Sequence, residues 1–191
     1  MKALAVFLIV LCLAAFGGVW YLHNTSNVTA YTERGECVVT QLNYDEFSRL
    51  KEQLEQGVFT GIRFADDDLS VASEYVLYTW TIWVNNRTSM DARIAEVQVT
   101  PLRGDILQFD PDMFFSGSYT EHSVEAWKSG YIKICVLHRL DGNQMKSDVD
   151  NSAVLYAETR PEKHNAKITW YLGGFPFPET NGKGGSVDLY P

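Results

Sequence analysis

The fold of this chain is set by the stretch EYVLYTWTIWVN, residues 74–85. Apolar side chains recur there at every second position, which is the period of a β-strand with two distinct faces. The more apolar face carries Val76, Tyr78, Trp80, Ile82 and Val84. The other face carries Leu77, Thr79, Thr81 and Trp83. This is the strongest strand signal in the sequence, and it predicts a β-rich domain.

On either side of this stretch, shorter apolar runs separated by turn-forming residues predict further strands. These runs lie at residues 37–42, 58–64, 91–100, 106–109, 123–127, 131–139, 154–159 and 167–172. Residues 110–122 and 141–152 are predicted loops, and the Pro- and Gly-rich end of the chain is expected to be irregular. Because strands do not alternate with helices, we predict an antiparallel two-sheet β-sandwich.

The passage around Val84-Asn85-Asn86, followed by an Ala-, Ile- and Val-rich partner strand, resembles many immunoglobulin-like modules of bacterial surfaces. The resemblance extends over about 60 residues and implies an immunoglobulin-like sandwich. It lacks the Cys…Trp…Cys signature of antibody-type domains, so it transfers no functional residue to this chain.

One amphipathic helix is predicted at residues 44–56. Asn43 suits the N-cap position, and Glu46 stands three residues later, as a capping box requires. Apolar side chains at Phe47, Leu50 and Leu54 fall on one face of such a helix. Gly57 is a suitable residue to end it.

The first residues predict a membrane address. Residues 3–22 form an uncharged apolar run preceded by Lys2. A helix of that length rises about 30 Å, the thickness of the hydrocarbon core of a bilayer. The cation at its start predicts a cytoplasmic N-terminus, with everything after the run outside. The alternative is a signal peptide cleaved before Gly18, which would release a secreted protein.

These features predict three parts of the chain. Residues 1–22 are a transmembrane anchor or signal peptide, residues 23–35 a polar linker, and residues 36–191 one extracytoplasmic domain. The formal net charge of −8 argues against a nucleic-acid partner, because phosphate backbones repel an acidic protein.

Cysteines and sequons leave two questions open. Cys37 and Cys135 both fall in predicted strands, where they form either a disulfide or two separate buried thiols. Asn-x-Ser/Thr sequons stand at Asn24, Asn27 and Asn86, and they matter only in a host that glycosylates asparagine.

No motif predicts catalysis. Ser48 and Lys51 match S-x-x-K, but the S-D-N and K-T-G elements that accompany it in acyl-transferases are absent. Arg103-Gly104-Asp105 matches a cell-adhesion tripeptide and is interpreted as a plain turn. The histidines show no metal-binding spacing; they are His23, His122, His138 and His164.

Acidic clusters offer hard oxygen ligands of the kind that Ca²⁺ prefers. They lie at residues 66–68, at Asp110 and Asp112, and at Asp148 and Asp150. The loops that begin at Asp141 and Asp148 lack the glycine at position six and the glutamate at position twelve of a calcium loop. The clusters are therefore interpreted as solvated loops. We predict no catalytic residue, no cofactor and no metal site.

The sequence thus predicts a membrane-anchored, non-enzymatic module of the cell envelope that binds or scaffolds another protein. The alternative is a carbohydrate-binding module, or a glycoside hydrolase that uses two carboxylates of the acidic loops. Trp80 and Trp170 are expected in the core, whereas Trp83, on the less apolar face, is the tryptophan to test for ligand contact.

Overall fold

The computed structural model describes residues 2–25, 27–66, 68–116, 122–140, 162–173 and 182–191. The helices are α1 (Lys2–Thr25), α2 (Tyr44–Glu55) and α3 (Pro111–Ser116), with a 3₁₀ turn at Ala72–Glu74. The strands are β1 (Asn27–Tyr31), β2 (Val38–Thr40), β3 (Gly61–Arg63), β4 (Tyr75–Arg87), β5 (Asp91–Val99), β6 (Asp105–Phe109), β7 (Ser123–Val124), β8 (Ser129–Arg139), β9 (His164–Gly173) and β10 (Lys183–Leu189). The predicted strand at 154–159 and the predicted loop at 141–152 lie outside the described residues.

The strands form two antiparallel sheets. Sheet A has the order β1-β4-β8-β6-β3, and β2 pairs with β4 beside β1. Sheet B has the order β10-β9-β5-β7. The prediction of a mainly β domain with two antiparallel sheets and few helices is confirmed, and the arrangement is consistent with a sandwich.

The main core lies between the two sheets. The alternating pattern of β4 is confirmed, because its more apolar face is buried from Val76 to Val84 while Thr79, Thr81 and Trp83 are half-exposed. Sheet B contributes alternate residues of β9 to the same core: Ala166, Ile168, Trp170 and Leu172. Trp80 and Trp170 are both buried, as the sequence predicts.

A second core lies on the outer face of sheet A, beneath α2. Phe47 and Leu50 of the helix are buried against Tyr75, Leu77 and Leu137 of the sheet. The helix therefore adds a partial third layer, which agrees with its few apolar positions. It covers the half of sheet A where β4 begins.

The predicted capping box of α2 is confirmed. The Glu46 amide donates to Asn43 Oδ1 over 2.9 Å, and the Asn43 amide donates to Glu46 Oε2 over 3.0 Å. Gly57 follows the helix with a φ of 68°, a left-handed conformation that glycine adopts without steric cost.

The first helix, α1, runs from Lys2 to Thr25. Each residue from 4 to 18 is exposed, including Leu13 and Phe16. Over the part of the chain that is described, no helix offers a stretch both long and apolar enough to qualify as a membrane span.

Three elements correct the sequence predictions. Strand β1 occupies part of the predicted linker, because Val28 and Ala30 reach the core between polar neighbours. Helix α3 begins at Pro111 in the predicted loop 110–122, and Asp110 caps it by accepting from the amides of Asp112 and Met113.

The third correction concerns β10, which lies in a stretch expected to be irregular. Its glycines fit a strand because the neighbouring strand approaches closely. A Cβ on Gly185 would lie 2.9 Å from the Trp170 ring, and one on Gly184 would lie 3.2 Å from the Ile168 carbonyl oxygen. A glycine-rich segment can thus be a strand where side chains from the next strand fill the space.

Replacing Gly185 by alanine should therefore destabilise the domain. The added methyl group collides with the buried Trp170 ring, and such overpacking costs about 1–3 kcal/mol of unfolding free energy. Denaturant unfolding of Gly185→Ala and of Ser186→Ala measures this cost. Ser186 is exposed, so its variant should change stability by about 0.5 kcal/mol or less. Equal stability of the two variants would contradict the close packing.

Candidate functional site

The outer face of sheet A is half covered. Helix α2 lies over its first half, where β4 begins, and α3 lies beside it. The second half, where β4 ends, has exposed or half-exposed side chains on β1, β4 and β8. This open half is the candidate binding surface.

An aromatic row crosses the open half. Trp83 of β4 lies opposite Tyr31 of β1 on one side and Tyr131 of β8 on the other. Because directly opposed residues of a sheet share one face, the three side chains project from the same surface. Tyr31 is 45% exposed and Tyr131 is 55% exposed. We call these three residues the aromatic row.

The geometry of the aromatic row is irregular rather than flat. The rings of Trp83 and Tyr131 meet edge to face, with centroids 5.6 Å apart and planes inclined by 63°. The indole nitrogen of Trp83 donates to Glu36 Oε2 over 3.1 Å. The half-exposed Trp83 is thus held in place, as expected of an anchoring residue in an interface.

A groove of about 570 Å³ adjoins the aromatic row. It lies between β2, β4 and the first turns of α2 and α3. Exposed apolar side chains of Val38 and Phe115 stand at its edges, and Thr79, Thr81 and Lys133 line it. The aromatic row and the groove together form a mixed apolar and polar surface, which is typical of protein interfaces.

The outer face of sheet B differs in character. Its exposed or half-exposed side chains are mostly polar or charged: Arg93, Gln98, Asn165, Lys167, Thr169, Tyr171 and Ser186. Tyr171 is an exposed large hydrophobic side chain on this face. The contrast makes the outer face of sheet A the candidate surface.

A buried polar cluster joins the two sheets at the other end of β4. Asp105, at the start of β6, receives His138 Nδ1 of β8 at 2.9 Å on Oδ1. Its second oxygen, Oδ2, lies 2.8 Å from His164 Nε2 of β9 and accepts the Leu102 amide over 2.7 Å. His164 is 2% exposed, and the Asp105 side chain is fully buried.

The hydrogen bonds define the protonation of this cluster. Burial alone would raise the pKa of Asp105, but hydrogen bonds from His138, His164 and the Leu102 amide outweigh it and lower that pKa to about 2. The Nδ1 atom of His164 faces the Glu162 carbonyl oxygen at 2.8 Å, so both of its ring nitrogens face acceptors. With Asp105 ionised, the Nε2 atom of His164 donates to its Oδ2 atom.

Asp105 and His164 are closed to solvent, so a substrate cannot reach them in this conformation. Its role is to connect β6 of sheet A with β9 of sheet B by a buried, charge-assisted hydrogen bond. It is a structural connection between the sheets.

A second cleft, of about 310 Å³, opens at the edge where β3 and β6 face the bulge of β5. Apolar side chains line most of it, and Asp110, His122 and Glu96 supply polar groups. His122 Nε2 lies 2.7 Å from Asp110 Oδ2. The pKa of His122 is raised, because the effect of the hydrogen bond with Asp110 outweighs the opposing effect of burial.

Asp110 lacks the properties of a general acid. Burial would raise its pKa, but the hydrogen bonds from His122 and from the Met113 and Asp112 amides lower it. Both carboxylate oxygens are engaged, one by His122 and the other by the cap of α3. A glycosidase acid needs the opposite condition, a raised pKa, so this cleft gives the hydrolase alternative no support.

The thiols of Cys37 and Cys135 are free and buried. They belong to different cores, because Cys37 packs between the sheets whereas Cys135 packs beneath α2. Burial raises the pKa of each to about 12, so both thiols are protonated and unreactive at neutral pH. Of the two interpretations left open by the sequence, separate buried thiols match the structure.

The adhesion-like tripeptide lies in a turn, and the S-x-x-K match lies on a helix. Gly104 takes a φ of 95° in the turn before β6, and the Asp105 carboxylate points into the core instead of toward a receptor. Ser48 and Lys51 lie on α2, as predicted. The acidic cluster of Asp110 and Asp112 has a structural explanation, because Asp110 caps α3 by accepting from the Asp112 amide.

Among the described residues, no three His, Cys, Asp or Glu side chains are grouped so that they could hold a metal ion. The acidic residues at 148 and 150 and the aromatic tail residues 175 and 177 lie outside that part of the chain. The sequon at Asn86 is completely buried, so it is no acceptor for a glycan in the folded domain.

Nothing in the sequence pattern brings Asp105, His138 and His164 together, because His138 and His164 are 33 and 59 residues from Asp105. The aromatic row was missed because Tyr31 falls in a polar stretch that predicts a linker. The sequence does contain a signal for the strand that carries Tyr31, the alternation Val28-Thr29-Ala30-Tyr31, but this signal is short and weak.

No protein-family model matches the chain, and no curated protein shows a significant match to its sequence.

Proposed function

We propose that this chain is a membrane-anchored, extracytoplasmic, non-enzymatic module that binds another protein of the cell envelope through the aromatic row and the adjoining groove. The observation that carries the proposal is the exposure of Tyr31 and Tyr131 beside a fixed Trp83. Aromatic side chains held in place are typical of the centre of a protein interface.

The proposed address depends on α1. Residues 4–18 expose apolar side chains along the whole circumference of the helix, a pattern that suits lipid rather than water. Lys2 at the start supports a cytoplasmic N-terminus. Cleavage before Gly18 is the competing form of the same proposal, and it would leave a secreted domain.

Protein is a better partner for the aromatic row than carbohydrate. Sugar rings stack on aromatic faces that lie flat and accessible, whereas Trp83 and Tyr131 stand edge to face.

The proposal also includes the fold: the two sheets form an immunoglobulin-like sandwich. It is supported by the long paired strands β4 and β8 facing β5 and β9.

A photo-crosslinking residue in place of Tyr131 tests the proposal in the full chain, expressed in its membrane. Tyr171 is the matched control, since it is an exposed tyrosine on the outer face of sheet B. We expect a discrete protein adduct from position 131 and at least roughly tenfold less from position 171, as hot spots concentrate in one patch. Adducts of equal yield at both positions, or none at 131, would refute the proposed binding surface.

A further inference from the structure

Trp127 is an exposed tryptophan at a strained backbone position. It is 61% exposed, and its φ of 62° makes it the non-glycine residue with positive φ in the described part of the chain. The sequence predicts a strand through residue 127, but β7 ends at Val124 because the chain turns there. A bulky residue in the left-handed region costs on the order of 1–2 kcal/mol, so the surrounding structure must impose it.

The turn that presents Trp127 is held on several sides. The Lys128 amide donates to the Glu125 carbonyl oxygen over 3.1 Å, which closes the turn. The Ala126 amide donates to Asp91 Oδ1 over 2.9 Å, and the Asn86 side chain donates to the Glu125 carbonyl oxygen over 3.1 Å. These hydrogen bonds hold the backbone on both sides of Trp127, whose side chain is exposed.

Strand register places this turn beside the end of α1. The Asn86 amide donates to the Lys128 carbonyl oxygen, so Trp127 lies level with Arg87, the last residue of β4. Arg87 is paired with Asn27 on its other side. With neighbouring strands about 4.8 Å apart, Trp127 lies about 10 Å from Asn27. Asn27 follows α1, which ends at Thr25, after one residue.

We propose that Trp127 inserts into the interfacial region of the outer leaflet, so that this end of the domain rests on phospholipid next to the anchor. The proposal rests on the proposed function, in which α1 crosses that membrane. Tryptophan favours the membrane–water interface because its body is apolar and its N–H group is polar. Arg87 is exposed at the same end, where its guanidinium can bind a lipid phosphate.

A lipid occupant fits this position better than a protein partner. The membrane surface lies at the C-terminal end of an anchoring helix, and only about one residue separates that end from β1, so the tether cannot hold the domain far away. The aromatic row lies four residues before this end of β4, about 13 Å away. That distance leaves the aromatic row accessible to a protein.

The experiment replaces Trp127 by p-benzoylphenylalanine in the full chain, reconstituted in vesicles of phosphatidylethanolamine and phosphatidylglycerol. Tyr44 is the control position, because it is exposed and lies far from Trp127. It begins α2, which packs on the opposite half of sheet A, roughly 30 Å from Trp127. After irradiation, intact-mass spectrometry should show a phospholipid adduct at position 127, with roughly tenfold less at position 44.

A carbonate wash of the vesicles before irradiation separates the two proposals. If the chain is washed off, the anchor fails and the lipid contact fails with it. If the chain stays in the vesicles but position 127 gives no more lipid adduct than position 44, the anchor stands and the role of Trp127 is refuted. Both proposals, the anchor and the lipid contact, are supported if Trp127→Ser stays in the washed vesicles and the chain with p-benzoylphenylalanine at position 127 gives the lipid adduct.

Discussion

Replacing Asp105 by alanine should lower the free energy of unfolding at pH 7 by about 3–5 kcal/mol. The carboxylate accepts hydrogen bonds from His138, His164 and the Leu102 amide at a fully buried position. Its removal leaves the Nε2 atom of His164 without its acceptor, in a side chain that is only 2% exposed. Chemical denaturation followed by far-UV circular dichroism measures the loss.

The same residue predicts a dependence of stability on pH. The pKa of Asp105 is about 2 in the folded domain, below its ordinary value of 3.8. A carboxyl whose pKa is lowered by folding adds stability above its unfolded pKa, and this contribution is lost as the pH falls from about 4 to about 2. The shift corresponds to about 2 kcal/mol. Asp105→Asn lacks this titration, so its stability difference from wild type should shrink over that range.

Asp112→Ala is the control for the measurement at pH 7. Asp112 is an exposed aspartate of α3, and its removal should cost about 1 kcal/mol or less of unfolding free energy. If Asp105→Ala unfolds at the same denaturant concentration as Asp112→Ala, the buried cluster does not hold the two sheets together.

The parts of the fold that the sequence predicts are those written in local patterns. The alternation of residues 74–85 predicts both faces of β4, and the spacing of Asn43, Glu46 and Gly57 predicts the limits of α2 within one residue. In each case the residues that determine the element lie within one short stretch of the chain, so single-sequence patterns carry the information.

The parts that it does not predict depend on contacts between distant segments. The bond from Asp105 to His164 spans 59 residues and requires the two sheets to be packed first. Strand β10 depends on the Trp170 ring that fills the space over Gly185. The local sequence pattern predicts that Trp127 lies in a strand. It lies instead in a turn that is held by hydrogen bonds to Asp91 and Asn86, and this turn exposes its side chain.

The candidate binding surface shows the same division. The alternation of β4 identifies Trp83 as the tryptophan on the less apolar face. Its neighbours Tyr31 and Tyr131 come from strands 52 and 48 residues away along the chain, and only the register of sheet A brings them beside it. A surface built across three strands is a property of pairing, which the sequence of any one strand does not contain.

Replacing Asn86 by aspartate should unfold the domain or cost about 4 kcal/mol or more. The side-chain amide of Asn86 donates to the carbonyl oxygens of Met90, Val124 and Glu125, over 2.8, 2.9 and 3.1 Å. Its own oxygen accepts the Thr88 amide over 3.1 Å. Aspartate would place a buried negative charge against three carbonyl oxygens, with no solvent to screen it, since Asn86 is 0% exposed.

The adjacent asparagine supplies the matched control, because Asn85 points to the half-exposed outer face of sheet A. Asn85→Asp introduces the same charge one residue away and should change the free energy of unfolding by about 0.5 kcal/mol or less. Asn86→Ala, which removes the donors without adding charge, should fall between the two. Because the polar atoms of Asn86 join β4 to the turn before β5, to β7 and to the turn before β8, the Asn-Arg-Thr sequence there serves folding. Equal stability of Asn85→Asp and Asn86→Asp would show that these hydrogen bonds contribute nothing.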